Sequence, residues 1–143
     1  MDYQLERFYK PQDSEYETAL REVRNGRKTS HWMWYIFPQL RGLGHSSMSD
    51  YYGISGEEEA RAYLADPVLG KRLVEISEAL MELEDKDPAG IFGFPDTMKL
   101  RSCMTLFAEV SGEDSVFRRV LKAYFDGVRD ERTIWLLGRY KDE

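Results

Sequence analysis

At 143 residues the chain is long enough to bury a core without disulfides or a structural metal, and its 42% hydrophobic and 32% charged residues describe a globular protein with a well-solvated surface. A net charge of -6, with no large lysine or arginine cluster, argues against a nucleic-acid partner. The single cysteine, Cys103, excludes an internal disulfide and a multi-cysteine zinc site; with no apolar signal core at the N-terminus and no long apolar run, the reading is a cytoplasmic chain without a membrane span.

No internal repeat, low-complexity tract or long Pro/Gly/Ser linker interrupts the sequence, so residues 1–143 are read as one helical domain. The first predicted helix starts at Ser14, which forms a capping box with Glu17; Tyr16, Ala19, Leu20 and Val23 follow at helical spacing and Gly26 stops it. Residues 32–37 have strand-like composition, but an isolated strand cannot pair its backbone, so helix or buried extended chain is expected there. Residues 38–53 are expected to form an Ω-like polar loop held against the bundle.

A second helix is predicted from Ser55 and Glu58, again as a capping box, through Ala60, Tyr63 and Leu64. Asp66 and Pro67 then open the clearest core helix, with Leu69, Leu73, Ile76, Leu80 and Leu83 stepping by fours and threes. Pro88, Gly90, Gly93 and Pro95 break periodicity across residues 84–95. Asp96 is read as the cap of a helix carrying Leu100, Cys103, Met104, Phe107 and Val110, Asp114 as the start of a helix through Phe117, Val120, Leu121 and Tyr124, and Asp130 as the start of a last one through Ile134 and Leu137. The expected architecture is all-α, a compact bundle of five to seven helices with an ordered polar, glycine-rich loop.

Residues 31–52 concentrate the candidate chemistry. Gly42 and Gly44, followed by Ser46 and Ser47, could bring backbone amides and hydroxyls close to an anion; a plain glycine turn satisfies the same pattern. His31 and His45 match no metal-ligand spacing, so neither a metal nor another cofactor is expected. Of the two, His45 on the glycine loop is the better candidate for proton transfer, alongside Asp50. Trp34 and Tyr52 could stack a base, although an aromatic run in a small helical domain more often packs the core. Arg41 suits a carboxylate or phosphate, and Gln39 opens the polar half of the segment. Lys99 and Ser102 lie one turn apart and could form a second wall if their helix face meets the glycine loop. Cys103 fits an apolar stripe, and Asp130 can cap a helix or give its carboxylate to a pocket.

The stretches SHWMWYIFPQLRGLGHSSMSDYYGI, EEARAYLADPVLGKRL, IFGFPDTMKLRSCMTLF and VFRRVLKAYFDGVRDERT resemble, in order and over about nine-tenths of the chain by eye, the domain-of-unknown-function family 1810. That resemblance implies an all-helical domain and brings no established activity or catalytic residues. The calpastatin label some members carry names a disordered inhibitor and does not suit this periodic sequence. A fainter likeness, through Met104, Phe107 and Leu121, is to the YbiA-like hydrolases of ADP-ribose and N-glycosides, without their tryptophan-glutamate motif.

Three functions follow as expectations. The first is a domain that binds a small anionic or nucleotide-derived ligand between residues 31–52 and residues 96–107. The second is a YbiA-like hydrolase, with His45 or Asp50 handling the proton, Arg41 and the glycine-loop amides binding the anion, and Trp34 or Tyr52 stacking the base. The third is a non-enzymatic protein-interaction module.

Overall fold

The computed structural model describes residues 3–139; the two ends of the expected domain, residues 1–2 and 140–143, lie outside the described residues. The elements in chain order are α1 (Glu6–Arg24), α2 (Met33–Ile36), α3 (Ser47–Tyr52), α4 (Glu57–Ala65), α5 (Leu69–Glu82), α6 (Pro88–Phe92), α7 (Asp96–Glu109), α8 (Val116–Phe125) and α9 (Glu131–Leu136). The fold is all-α, as the periodicity indicates. It has more helices than the five to seven expected, because α2, α3 and α6 are single short turns too brief to show a period.

Helix α1 begins well before Ser14, which is an exposed residue inside it. The buried stripe Phe8, Gln12, Tyr16, Ala19 and Val23 runs through the whole helix, and burial of that stripe outweighs the hydrogen bond lost at Pro11. The caps differ from expectation at three other places. Helix α4 has no side-chain cap; the Ser55 amide instead donates to Glu59 Oε1 at 2.7 Å. Asp96 is the first residue of α7, with its carboxylate turned to lysines, and α8 is capped by Ser115 rather than Asp114. Asp66 and Asp130 cap as read: Asp66 Oδ1 accepts the Val68 and Leu69 amides at 2.9 Å, and Asp130 accepts the Thr133 amide at 3.1 Å.

Helix α5 packs on α1, α4 and α8, while α7 packs on α8, α4, α6 and α9. Every residue in 102–108 is buried, so the second half of α7 is enclosed on all sides and forms the centre of the molecule. Gly70 marks the closest helix approach: a Cβ there would lie 2.1 Å from the Leu64 carbonyl oxygen. Residues 38–53 are not a loop throughout. Their ends pair, with the Arg41 amide donating to the Ile54 carbonyl at 2.8 Å and the Ile54 amide to the Gln39 carbonyl at 2.9 Å, and α3 sits inside the closed loop. Gly53 is required for that closure, since a Cβ there would meet the Arg41 backbone at 2.7 Å.

A buried carboxylate holds the segment between α1 and α2. Glu22 Oε1 accepts the Thr29 amide at 2.8 Å, the Ser30 amide at 3.0 Å and the Trp32 indole at 3.0 Å, and its Oε2 accepts the Ser30 hydroxyl at 2.6 Å. Burial pushes this carboxyl up, but these donors outweigh it and hold it at about 2. At the other end of the molecule Glu109 receives Arg129 and Arg139, each at 3.1 Å, tying the segments before and after α9 to α7.

Two outcomes follow. Gly70→Ala lowers the unfolding free energy by about 1–3 kcal/mol in urea titration, because backbone rather than a flexible side chain opposes the new methyl. Glu22 is depressed from 4.5 to about 2, so its stabilisation is complete above pH 4.5 and is lost as pH falls through 2. The wild-type stability lost across that window is therefore larger than that of Glu22→Gln by about 3 kcal/mol in acid denaturation curves.

Candidate functional site

The candidate residues fall into two clefts rather than one pocket. The first, of about 590 Å³, is open and lies beside α3, with Arg41, His45, Ser47 and Asp50 on its wall together with Arg7 and Tyr51. The second, of about 220 Å³, lies where the glycine loop meets α7 and the start of α9, lined by Trp34, Gln39, Gly44, Lys99 and Ser102 with Asp130 and Arg132. Thus the second wall expected from residues 96–107 is present, and it faces Trp34 and Gln39 rather than His45 and Arg41.

In the larger cleft both arginines are engaged by protein groups. Arg7 ion-pairs with buried Glu59 at 2.8 Å and donates to the carbonyls of Tyr51 at 2.8 Å and Gly53 at 3.0 Å. Arg41 donates to the carbonyls of Asp50 at 3.2 Å and Gly53 at 3.1 Å, so both guanidiniums close the end of α3. The exposed imidazole of His45 and the carboxylate of Asp50 have no hydrogen-bond or ion-pair partner among the described residues, and nothing orients either for proton transfer. Ser46 is spent as the cap of α3, accepting the Ser49 amide at 3.1 Å. Tyr52 lines neither cleft; it packs among Phe8, Tyr35 and Tyr51 with ring centroids 4.8–5.8 Å away.

The smaller cleft is built differently. Trp34 is half-buried while Trp32, Met33, Ile36 and Phe37 around it are core, so the aromatic run divides by side: four residues pack the interior and Trp34 faces the cleft. The Lys99 ammonium stands 4.1 Å from the Trp34 ring centroid and 3.0 Å from Asp96 Oδ1. Asp96 Oδ2 receives the buried Lys28 ammonium at 2.8 Å. Burial pushes the Asp96 carboxyl up, yet the two ammonium groups prevail and hold it below the usual carboxylate range. Two lysines on one carboxylate leave positive charge at the cleft wall.

Opposite them, Asp130 Oδ2 accepts the Ser102 hydroxyl at 3.2 Å, the Thr133 amide at 3.1 Å and the Thr133 hydroxyl, while the Asp130 amide donates to Thr105 Oγ1 at 2.9 Å. Asp130 therefore caps α9 and lines the cleft at once. Arg132 reaches across to the carbonyls of Gly42 at 3.3 Å and Leu43 at 3.4 Å. Gly42 lies at φ +102°, and at Gly44 a Cβ would come within 2.4 Å of Ser49 Oγ, so both glycines are needed for the loop to lie down on Trp34 and α9.

Gln39 is the distinctive member. The residue is largely buried, its side-chain amide has no hydrogen-bond partner among the described residues, and the amide's polar atoms reach solvent. The other buried glutamine, Gln12, shows the ordinary arrangement: its Nε2 donates to the Tyr35 carbonyl at 2.7 Å and to Tyr63 Oη at 2.9 Å, and its Oε1 accepts from Arg72 at 3.3 Å. Gln39 turns its unused amide toward the cleft that it lines.

A family model described as proteins of unknown function, DUF1810, matches residues 2–137. The chain belongs to this family. The family expected from residues 30–54 and the three later stretches is the one that matches. Among solved structures, the conserved hypothetical protein Rv1873 from Mycobacterium tuberculosis is similar to this DUF1810 chain with a TM-score of 0.92 and 44% identity, over 95% of this chain and 97% of that one. No curated protein sequence matches it. Among the described residues of this DUF1810 fold, no helix is long and apolar enough to cross a membrane.

Sequence reasoning missed Arg132 and Arg7 as cleft residues. Neither carries a local signal, since Arg132 meets the glycine loop across some ninety positions of chain. Asp96→Asn should unfold the protein by about 3 kcal/mol more readily in denaturant titration, because it leaves the Lys28 ammonium buried without its carboxylate. The same variant should alter Trp34 fluorescence as Lys99 loses its anchor.

Proposed function

We propose that this chain binds a small anionic or nucleotide-derived ligand in the cleft formed by Trp34, Gln39, Gly44, Lys99, Ser102, Asp130 and Arg132. The observation that carries this reading is the Lys99 ammonium held 4.1 Å from the Trp34 ring in a cleft that Gln39 also lines, with the Gln39 side-chain amide making no hydrogen bond among the described residues. A ligand that supplies both a donor and an acceptor can pair with that amide. The surrounding groups support a polar and anionic ligand: an ammonium held against an indole, a guanidinium with no carboxylate partner among the described residues, and a hydroxyl and carboxylate at the base. At about 220 Å³ the cleft lies below the usual range for drug-sized ligands, which favours a small metabolite over an extended one.

A thermal-shift series with nucleotides, NAD and ADP-ribose tests the reading. A ligand at one hundred times its Kd should add about 2.7 kcal/mol of stability, so a clear rise in Tm is expected for at least one of them. Gln39→Leu should abolish that rise while leaving the unliganded Tm unchanged or higher, since the replaced amide supports no described contact. No rise in Tm at millimolar concentrations, or a rise that Gln39→Leu preserves, overturns the proposal.

A further inference from the structure

Resting on that reading of the cleft, we propose a narrower ligand class: a phosphorylated sugar with a free cis-diol, alone or as part of a mononucleotide, held with its diol on Asp130 and its phosphate between Lys99 and Arg132. The argument is one of hydrogen-bond polarity.

Asp130 Oδ2 is filled by Thr133 and Ser102, whereas Oδ1 has no partner among the described residues. Ser102 has given its only proton to Asp130, and its Oγ retains lone pairs. The base of the cleft therefore presents acceptors alone. A carboxylate or phosphate placed there would meet like charge and no donor, while a pair of adjacent hydroxyls would donate to both Oδ1 and Oγ. A carboxylate receiving a ribose hydroxyl is the arrangement by which dinucleotide folds recognise that sugar, and the chemistry needs no particular fold.

Lys99, one turn from Ser102 on α7, and Arg132, two residues after Asp130, add donors to the same cleft. One Lys99 proton goes to Asp96, which Lys28 already neutralises, leaving the rest of the ammonium to a ligand. Arg132 spends its two terminal nitrogens on long bonds to carbonyls and meets no carboxylate among the described residues. A phosphate between them gains two cations. The ligand must then be bipolar, with donors at one end and an anion at the other. In a space of about 220 Å³, a pentose phosphate meets both demands.

Titration calorimetry on the full chain tests this with AMP, 2′-deoxy-AMP, ribose 5-phosphate and 2-deoxyribose 5-phosphate. AMP and ribose 5-phosphate are expected to bind, and each deoxy analogue to bind at least tenfold more weakly. If only AMP binds, with the tenfold preference, the source is the mononucleotide; if both bind, it is the sugar phosphate. Ser102→Ala should shrink the preference without removing the cap of α9, and Lys99→Met should weaken ribo and deoxy ligands equally. Equal binding of ribo and deoxy forms, abolished by Gln39→Leu, overturns the diol and leaves the cleft reading standing. Binding of none of the four, with no thermal shift from any ligand, overturns both.

Discussion

The organisation of this chain depends on a carboxylate that has nothing to do with its surface. Glu22 gathers the amides of Thr29 and Ser30, the Ser30 hydroxyl and the Trp32 indole, and so converts the end of α1 into a fixed turn that delivers the aromatic segment to the core. Taking a carboxylate out of water is costly, and the site is tolerable because every part of the anion facing protein has a donor. Once Trp32 is locked by this contact and by packing on Phe37 and Phe92, the following turn, α2, sets Trp34 on the other side of the chain. The indole wall of the smaller cleft is a consequence of that anchor.

The lysines extend the same logic. Lys28 leaves the Glu22 turn to meet Asp96 at the start of α7, and Asp96 holds Lys99 over Trp34. Two buried or half-buried charge clusters thus connect α1, the aromatic segment and α7, and each aligns a group that lines the cleft. Charge pairing in such positions adds little net stability compared with apolar packing, and its contribution here is to specify one arrangement of the loop and helices. Asp130 repeats the pattern on the far wall, where a single carboxylate caps α9, orients Ser102 and leaves one oxygen facing the cleft.

The contrast between the two clefts is equally physical. Around α3 the arginines are consumed by backbone carbonyls and by Glu59, so the larger opening is a by-product of closing the loop at Leu40 and Ile54. Around α7 the polar side chains are held by protein contacts on one side and retain unused capacity on the other.

The long helices were legible because burial of one face imposes a 3.6-residue period: Leu69, Leu73, Ile76 and Leu80 are all in the core, as are Leu100, Cys103, Met104 and Phe107. Single-turn helices carry no period, so α3 and α6 could not be read and α2 falls where the composition left helix or buried extended chain, and Ser14, Asp96 and Asp114 look like caps although the first is inside a helix and the others cap nothing. Residue types alone nominated Trp34, Gln39, Gly44, Lys99 and Ser102 as candidates. Only the tertiary structure decided which of them meet, because pairing across the fold depends on where Glu22, Asp96 and Gly53 fold the chain back. It also decided which groups the protein engages: Gln12 and Gln39 are the same residue type, and only their surroundings make one a structural bracket and leave the other without a partner among the described residues.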